Sequence, residues 1–136
     1  MKNNQAYPCF RILLVLLVVA MTLFVISCGS EKSEETTGEP KTFTFQVVPL
    51  EGEAQTFTIT SSRKTVGDAL FDEKLIEGEN GAFGLYVKKV NGITADYNID
   101  KTYWAFYVNG EYGMSGVDMT PIEDGAVYAF RQEVSP

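Results

Sequence analysis

The sequence predicts a small α+β domain of the β-grasp-like type, in which one helix packs on a mixed, mostly antiparallel sheet of about five strands. Three observations favour this class. Apolar and polar residues alternate in two segments after residue 41, as in half-buried strands. One capped helical pattern follows these segments, and further strand-like segments beside Asn-Gly or Asp-Gly dipeptides come after it. The order strand, strand, helix, strands therefore indicates a single helix on one sheet.

The first two strands are expected to form a hairpin. Residues 42–48 (TFTFQVV) and residues 56–60 (TFTIT) alternate hydroxyl or amide side chains with apolar ones. The connecting residues 49–55 contain Pro and Gly, which are typical of turns. The two strands are therefore predicted to be antiparallel neighbours.

The predicted helix begins after Thr65, whose hydroxyl can accept a hydrogen bond from the first helical turn. Asp68 follows three residues later, which is the capping-box spacing and places a negative charge near the positive end of the helix dipole. Apolar residues share one face over two to three turns. The segment at residues 78–81 (GENG) is expected to end this region as a turn.

Three further strands, each next to an Asn-Gly or Asp-Gly dipeptide, are predicted at residues 85–90, 103–108 and 127–132. These dipeptides adopt the positive φ values that tight hairpins require. In residues 103–108 (YWAFYV) every side chain except Ala105 is large and apolar or amphipathic. This segment is therefore expected to be the central strand, covered on both faces.

Composition excludes several functional classes. The chain has 136 residues and no His, so Ser/His/Asp and Cys/His catalytic groups, His-ligated zinc and a His axial ligand are all excluded. Its net charge is −7, which argues against nucleic acid because phosphate binding needs clustered Lys and Arg. The length allows one small domain.

The first segment is predicted to be a bacterial lipoprotein signal peptide. Residues 12–26 are apolar except for Thr22, and these fifteen residues are fewer than the roughly 20 that a membrane-spanning helix needs. The sequence Val-Ile-Ser-Cys that ends at Cys28 resembles a lipobox. This resemblance implies that residues 1–27 are removed and that Cys28 carries the lipid, for which palmitate is the expected acyl chain. The alternative is a signal anchor that stays in the membrane with Cys28 as an ordinary thiol.

A flexible tether and one folded domain follow the predicted lipid. Residues 28–41 comprise the lipidated Cys and a stretch rich in Ser, Thr, Gly and Glu, which cannot bury enough surface to fold. The domain is then residues 42–136. The lipid would hold this domain on the extracytoplasmic face of the cell membrane.

Two polar groups of the sequence are candidates for catalytic or metal sites. Asp72 and Glu73 lie among acidic residues of the helix, but no calcium-loop spacing is present and a solvated helix face is the simpler interpretation. Ser61 and Ser62 lie near Lys64, but the stretch is polar and lacks the Ser-x-x-Lys spacing. We therefore expect no enzymatic activity, no catalytic residue and no required metal or cofactor.

Aromatic residues are the third candidate group, because rings give large contact areas and stack on planar ligands. Phe106, with either Tyr103 or Trp104, is expected in the core. Three tyrosines near Gly or Asn turns are expected to be exposed, namely Tyr86, Tyr97 and Tyr112.

Several short motifs resemble a family of unknown function whose members are similar to the C-terminal domain of transcobalamin and intrinsic factor. The motifs are residues 103–110 (YWAFYVNG), residues 115–117 (SGV), the Asp-Gly turn at residues 124–125 and the helix start at residues 65–70 (TVGDAL). Members of this family occur on surface proteins and lipoproteins of Gram-positive bacteria. The resemblance covers about residues 43–133 and implies a β-rich domain with a helix packed on a sheet.

The resemblance also implies a ligand, since in the vitamin carriers this domain covers one face of cobalamin. The matching positions would be Phe83, Tyr86, Trp104, Met114, Gly116 and Val117. The resemblance therefore implies a corrinoid or related tetrapyrrole as the ligand. The carriers close the site with a large helical barrel for which this chain has no room, so a transport or surface protein would supply the missing half.

A second interpretation uses the same scaffold without a small-molecule pocket. In it the domain contacts proteins or glycans at the cell surface, through the exposed tyrosines or through an open strand edge at residues 42–48. Corrinoid binding should instead depend on Trp104 and residues 114–117.

Overall fold

A computed structural model describes residues 38–136 of the chain. The predicted signal peptide, Cys28 and most of the predicted tether lie outside the described residues. The first strand, β1, is Lys41–Val48 and so begins at the last residue of the predicted tether. Across residues 38–136, no helix has both the length and the apolar character needed to cross a membrane.

Strands are the predominant secondary structure of the described part of the chain. In chain order, the elements are β1, β2 (Gln55–Ser61), α1 (Val66–Asp72), β3 (Ile76–Gly81), β4 (Gly84–Val90), β5 (Ile93–Thr94), α2 (Tyr97–Asp100), β6 (Thr102–Val108), β7 (Glu111–Tyr112) and β8 (Val127–Val134). The domain is therefore β-rich, as predicted, but residues 38–136 contain two short helices instead of the single predicted helix.

The larger sheet has five strands in the order β2-β1-β8-β6-β7. The β1–β8 pair is parallel, and the other pairs of this sheet are antiparallel. The large sheet is mixed and mostly antiparallel, as predicted, and the β1–β2 hairpin is confirmed. The predicted strand at residues 85–90 does not belong to this sheet. The prediction of an open strand edge at residues 42–48 is wrong, because β1 lies between β2 and β8. A second sheet of three antiparallel strands, in the order β3-β4-β5, was not predicted.

The central strand is β8, and the prediction that residues 103–108 occupy this place is wrong. β8 pairs with β1 on one side and with β6 on the other. In β6 the side chains of Trp104 and Phe106 are buried, whereas Tyr103 and Tyr107 on the opposite face are only partly covered. The parallel pairing of Phe45 with Tyr128 joins strands far apart in sequence, which a local pattern cannot reveal.

Residues 78–81 form part of strand β3, so the prediction of a turn there is also wrong. A side-chain Cβ at Gly78 would lie 2.4 Å from the backbone oxygen of Tyr86 on the neighbouring strand. A bulge between Glu77 and Gly78 accompanies this close approach. Gly78 therefore allows β3 and β4 to approach each other closely and does not form a turn.

Other local predictions are confirmed. The Thr65 hydroxyl accepts a hydrogen bond from the backbone N–H of Asp68 at 3.2 Å, and the seven-residue helix α1 follows. The predicted Asn-Gly turns carry the expected positive φ values, with 46° at Asn91 and 50° at Asn109.

The core joins the inner face of the large sheet to helix α1 and parts of the small sheet. Its largest fully buried side chains include Phe43, Phe45, Tyr128 and Phe130. The Tyr128 hydroxyl donates to the backbone oxygen of Pro121 at 3.1 Å and accepts from the backbone N–H of Glu123 at 3.0 Å. Burial raises the pKa of Tyr128.

Candidate functional site

Strands β4 and β6 and the loop of residues 113–117 border a pocket of about 260 Å³. We call it the aromatic pocket, because Tyr86, Trp104, Phe106, Tyr112 and Phe130 contribute to its lining. None of its lining residues carries a charge. The polar groups available to a ligand are hydroxyls and backbone atoms.

Five of the six predicted ligand-binding residues line the aromatic pocket: Tyr86, Trp104, Met114, Gly116 and Val117. The sixth, Phe83, is not part of the lining. It lies in the tight connection between β3 and β4, where its side chain is fully exposed.

The pocket has a buried floor and an exposed rim. Trp104 and Val117 belong to the floor, with 7% and 2% of their surfaces exposed, and the Trp104 indole N–H donates to the backbone oxygen of Ile93 at 3.2 Å. Met114 and Tyr86 belong to the rim, with exposures of 102% and 41%. A ligand would therefore meet an open, one-sided site.

Backbone hydrogen bonds hold the loop of residues 113–117 in place. The N–H of Gly113 donates to the backbone oxygen of Phe106 at 2.8 Å, which ties the start of the loop to β6. At the other end, the backbone oxygen of Val117 accepts from the N–H of Gly67 in α1 at 2.9 Å. The loop thus connects the helix with the pocket side of the large sheet.

Asp118 makes a further connection that the sequence did not predict. Its Oδ2 accepts a hydrogen bond from the backbone N–H of Leu85 at 3.2 Å. Its Oδ1 is buried and has no hydrogen-bond partner in the described part of the chain. A Cβ at Gly116 would lie 2.6 Å from this Oδ1, and one at Gly84 would lie 3.2 Å from Oδ2. Two glycines thus make room for the Asp118 carboxylate.

A second pocket of about 350 Å³ is lined in part by the same loop. It shares residues 112–115 with the aromatic pocket and adds Met119, Thr120 and Pro121. The sequence did not predict this pocket. One of its lining side chains, Met119, is 69% exposed.

A tyrosine cluster lies on the opposite face of β6. The hydroxyls of Tyr103 and Tyr107 donate to the Glu133 carboxylate at 2.9 and 2.6 Å. These hydrogen bonds raise the pKa of both tyrosines, because they stabilise the protonated phenols beside a negative charge. The Arg131 guanidinium lies 4.4 Å from the centre of the Tyr107 ring.

The exposure predicted for three tyrosines is confirmed, with 41% for Tyr86, 45% for Tyr97 and 62% for Tyr112. Burial of Phe106 with Trp104 is confirmed as well. On helix α1, Asp72 forms an ion pair with Arg63 at 2.7 Å. Within residues 38–136, no group of three or more His, Cys, Asp or Glu side chains is placed to hold a metal ion.

A family model described as a domain of unknown function, DUF4430, matches residues 64–132. The chain belongs to this family. The DUF4430 match includes every residue that lines either pocket, whereas β1 and β2 precede it. The predicted resemblance to a family of unknown function is thereby confirmed. No curated protein is similar in sequence to this chain.

Two solved structures are similar to the DUF4430 chain. A protein from Ruminococcus gnavus, provisionally described as a metal-binding protein, has a TM-score of 0.67 and 27% identity, over 71% of this chain and 99% of its own. Haptocorrin in complex with Cbi has a TM-score of 0.58 and 20% identity over 72% of this chain. This chain covers 26% of haptocorrin, and the likeness shows a shared fold. It agrees with the predicted resemblance to the transcobalamin group.

Proposed function

We propose that the DUF4430 domain is a binding module that takes one face of a flat ligand of the corrinoid or tetrapyrrole class in the aromatic pocket. The observation that carries this proposal is the convergence of Tyr86, Trp104 and Met114 on one pocket without charged lining residues. Such a pocket favours the apolar, uncharged face of a ligand, because a buried charge would find no partner there. Cobalamin and cobinamide are the ligands to try first.

The size of the pocket suggests that a second protein completes the site. Its volume of about 260 Å³ is below the ~300–1,000 Å³ of pockets that enclose a drug-sized ligand. The match to haptocorrin covers 26% of that protein. In this proposal the open rim faces a transport or surface protein that covers the rest of the ligand.

The proposal places the domain outside the cytoplasm, tethered to the membrane by a lipid on Cys28, and assigns it binding rather than catalysis. The apolar segment and lipobox-like sequence of residues 12–28 support the anchor. We also assign the domain to the β-grasp class. The hairpin, the helix and the parallel pairing of β1 with β8 support this assignment.

One observation favours the alternative of protein or glycan contact. Two exposed side chains that do not line the aromatic pocket, Tyr97 at 45% and Ile99 at 82%, belong to α2. A site there would bind a partner without a small molecule. The two functions therefore predict that binding is impaired by substitution of different residues, Tyr86 for a ligand in the aromatic pocket and Tyr97 for a partner at α2.

The test is a calorimetric titration of the full-length chain in mild detergent with cobalamin, cobinamide and haem. We expect saturable binding to at least one of them, with a dissociation constant below about 10 μM. Tyr86→Ala should weaken it at least tenfold, and Tyr97→Ala, a similarly exposed residue outside the pocket, should leave it unchanged. Trp104 is not the residue to remove, because its buried ring supports the fold.

If no heat of binding is detected at ten times the expected dissociation constant, the domain does not bind these ligands without a partner. Loss of binding in Tyr97→Ala with Tyr86→Ala unaffected would move the site to α2.

A further inference from the structure

The large sheet ends in an open edge at β2. This strand pairs with β1 along all of its residues, and no strand of residues 38–136 pairs with its other side. Alternate backbone N–H and C=O groups of an outer strand point away from the sheet, where they need a partner or water. β2 therefore presents a row of hydrogen-bonding groups to another strand.

The other outer strands in residues 38–136 are protected against such pairing, whereas β2 is not. Natural proteins protect sheet edges with very short strands, charged side chains, Pro or bulges. β5 and β7 have two residues each, and β3 carries two carboxylates and a bulge between Glu77 and Gly78. β2 (QTFTITS) has seven residues, with no charge, no Pro and no bulge. Its edge is therefore suited to pairing with a further strand.

The side chains of β2 form a nearly palindromic pattern about Thr58. Thr56 and Thr60 flank it on the exposed face, and Phe57 and Ile59 flank it on the face that packs against the core. If two copies of β2 pair antiparallel about a two-fold axis at Thr58, Thr56 lies opposite Thr60 and Phe57 lies opposite Ile59. Hydroxyls then face hydroxyls, and apolar side chains face apolar ones. A shift of one residue would place Phe57 opposite a threonine and turn one sheet over.

The charges that flank β2 are complementary in the same arrangement. Glu51 and Glu53 precede the strand, Lys64 follows it, and all three side chains are exposed. In antiparallel pairing, the start of one strand lies beside the end of the other, so each acidic flank meets the basic flank of the second copy. A parallel pairing would bring the two acidic flanks together. The flanking charges therefore favour the antiparallel order.

We infer that the β2 edge binds a second copy of this chain, with the two β2 strands antiparallel about Thr58 and the two large sheets joined into one. A second copy is the partner because the side-chain order and the flanking charges of β2 match those of β2 itself. This inference goes beyond the proposed function, since β2 lines neither pocket. The pairing can therefore fail while the ligand site stands, and the reverse also holds.

Oxidative cross-linking of the full-length chain in mild detergent tests the two-fold axis. Cys9 and Cys28, the two cysteines of the chain, are replaced by Ser, and one thiol is introduced as Thr58→Cys or Thr44→Cys. Thr44 is the matched control, because it lies directly opposite Thr58 within the chain, one strand further from the edge.

The two positions differ in the distance between copies. Directly opposed Cβ atoms in paired strands lie about 4.5–5.5 Å apart, close enough for a disulfide after a small adjustment. The two Thr44 positions would be three strand spacings apart, about 14 Å. We expect Thr58→Cys to form at least tenfold more disulfide-linked dimer than Thr44→Cys. Equal cross-linking of the two variants, or none in either, would overturn the inference.

Charge reversal at the axis gives a second test that does not depend on a thiol. Thr58→Lys and Thr58→Asp each place like charges opposite one another in the dimer, so each variant alone should associate at least tenfold more weakly than the unmodified chain. An equimolar mixture should regain association, because Lys then faces Asp. This recovery also shows that both variants are folded.

Sedimentation velocity in density-matched detergent measures the association. The apolar residues 12–26 are the same in every variant, so differences between variants report on position 58. An unmodified chain that is monomeric at every concentration would refute the inference. A dimer that is unaffected by either charge would place the contact elsewhere, and a mixture that stays monomeric would refute the two-fold register.

Discussion

The carboxylate of Asp118 accepts a hydrogen bond from the backbone N–H of Leu85, with 3.2 Å between the nitrogen and Oδ2. This contact joins the loop of residues 113–117 to β4, the strand that carries Tyr86. It depends on Gly116, because a Cβ there would lie 2.6 Å from the other carboxylate oxygen. The Asp118 carboxylate thus links the two walls of the aromatic pocket, and the lack of a side chain at Gly116 leaves space for it.

Asp118→Ala should lower the free energy of unfolding by about 1–3 kcal/mol, since the Leu85 N–H loses its partner. Gly116→Ala should also destabilise the domain, because the new methyl group collides with the carboxylate. In the double variant this collision is gone, so its cost should be less than the sum of the two single costs. Urea denaturation of all four proteins measures the coupling, and strictly additive costs would contradict the relationship.

Tyr128→Phe should destabilise the domain by about 1–3 kcal/mol without a change in core volume. The lost hydroxyl leaves the backbone oxygen of Pro121 and the backbone N–H of Glu123 without their partner. Tyr112→Phe, at a residue that is 62% exposed, should change stability by less than about 0.5 kcal/mol. Thermal or urea unfolding distinguishes the two, and equal effects would refute the role of the Tyr128 hydroxyl.

Glu133→Gln should lower the pKa of Tyr103 and of Tyr107, because the Glu133 carboxylate accepts hydrogen bonds from both hydroxyls and thereby raises both pKa values. The pKa of Tyr128, raised mainly by burial, should stay where it is. Titration of phenolate absorbance, with single Tyr→Phe variants for assignment, tests this expectation. An unchanged titration curve would show that Glu133 does not control these phenols.

The same three raised pKa values set the direction of the pH dependence of stability. A phenol that holds its proton more tightly in the folded state contributes stability below its unfolded pKa near 10, and this contribution is lost as the pH rises through the folded pKa. The free energy of unfolding should therefore fall above about pH 10, less steeply in Glu133→Gln. Urea denaturation at a series of alkaline pH values provides the measurement.

Cys28→Ser should abolish incorporation of radiolabelled palmitate when the chain is produced in a bacterial host, and should release the domain from its lipid anchor. Cys9→Ser is the matched control, because Cys9 lies in the segment predicted to be removed. It should leave labelling and membrane association unchanged. Equal labelling of the Cys28→Ser variant would contradict the predicted lipidation site.

Local features of the fold were predictable from the sequence. The Thr65 cap and the Asn-Gly turns at residues 91–92 and 109–110 depend on side chains and φ preferences within a few residues. The central position of β8 was not predictable, because it results from its parallel pairing with β1 across most of the domain sequence. β3 escaped prediction because its only buried residue is Ile76, so it shows no apolar alternation.

The candidate site was predictable through the resemblance, but its geometry was not. The resemblance named Tyr86, Trp104 and Met114, and the structure brings them to one pocket. It did not indicate that Phe83 lies outside this pocket, or that Asp118 links the loop to β4. Both facts depend on how β4, β6 and the loop approach one another, which no short motif encodes.

The central position of β8 has a consequence for the order in which the domain assembles. Residues 127–134 are synthesised after every other strand, yet both β1 and β6 need them as a hydrogen-bonding neighbour. Until this last segment emerges, the large sheet lacks its middle strand and the core cannot close. The large sheet therefore closes last at its middle, after the last described strand has become available to both of its neighbours.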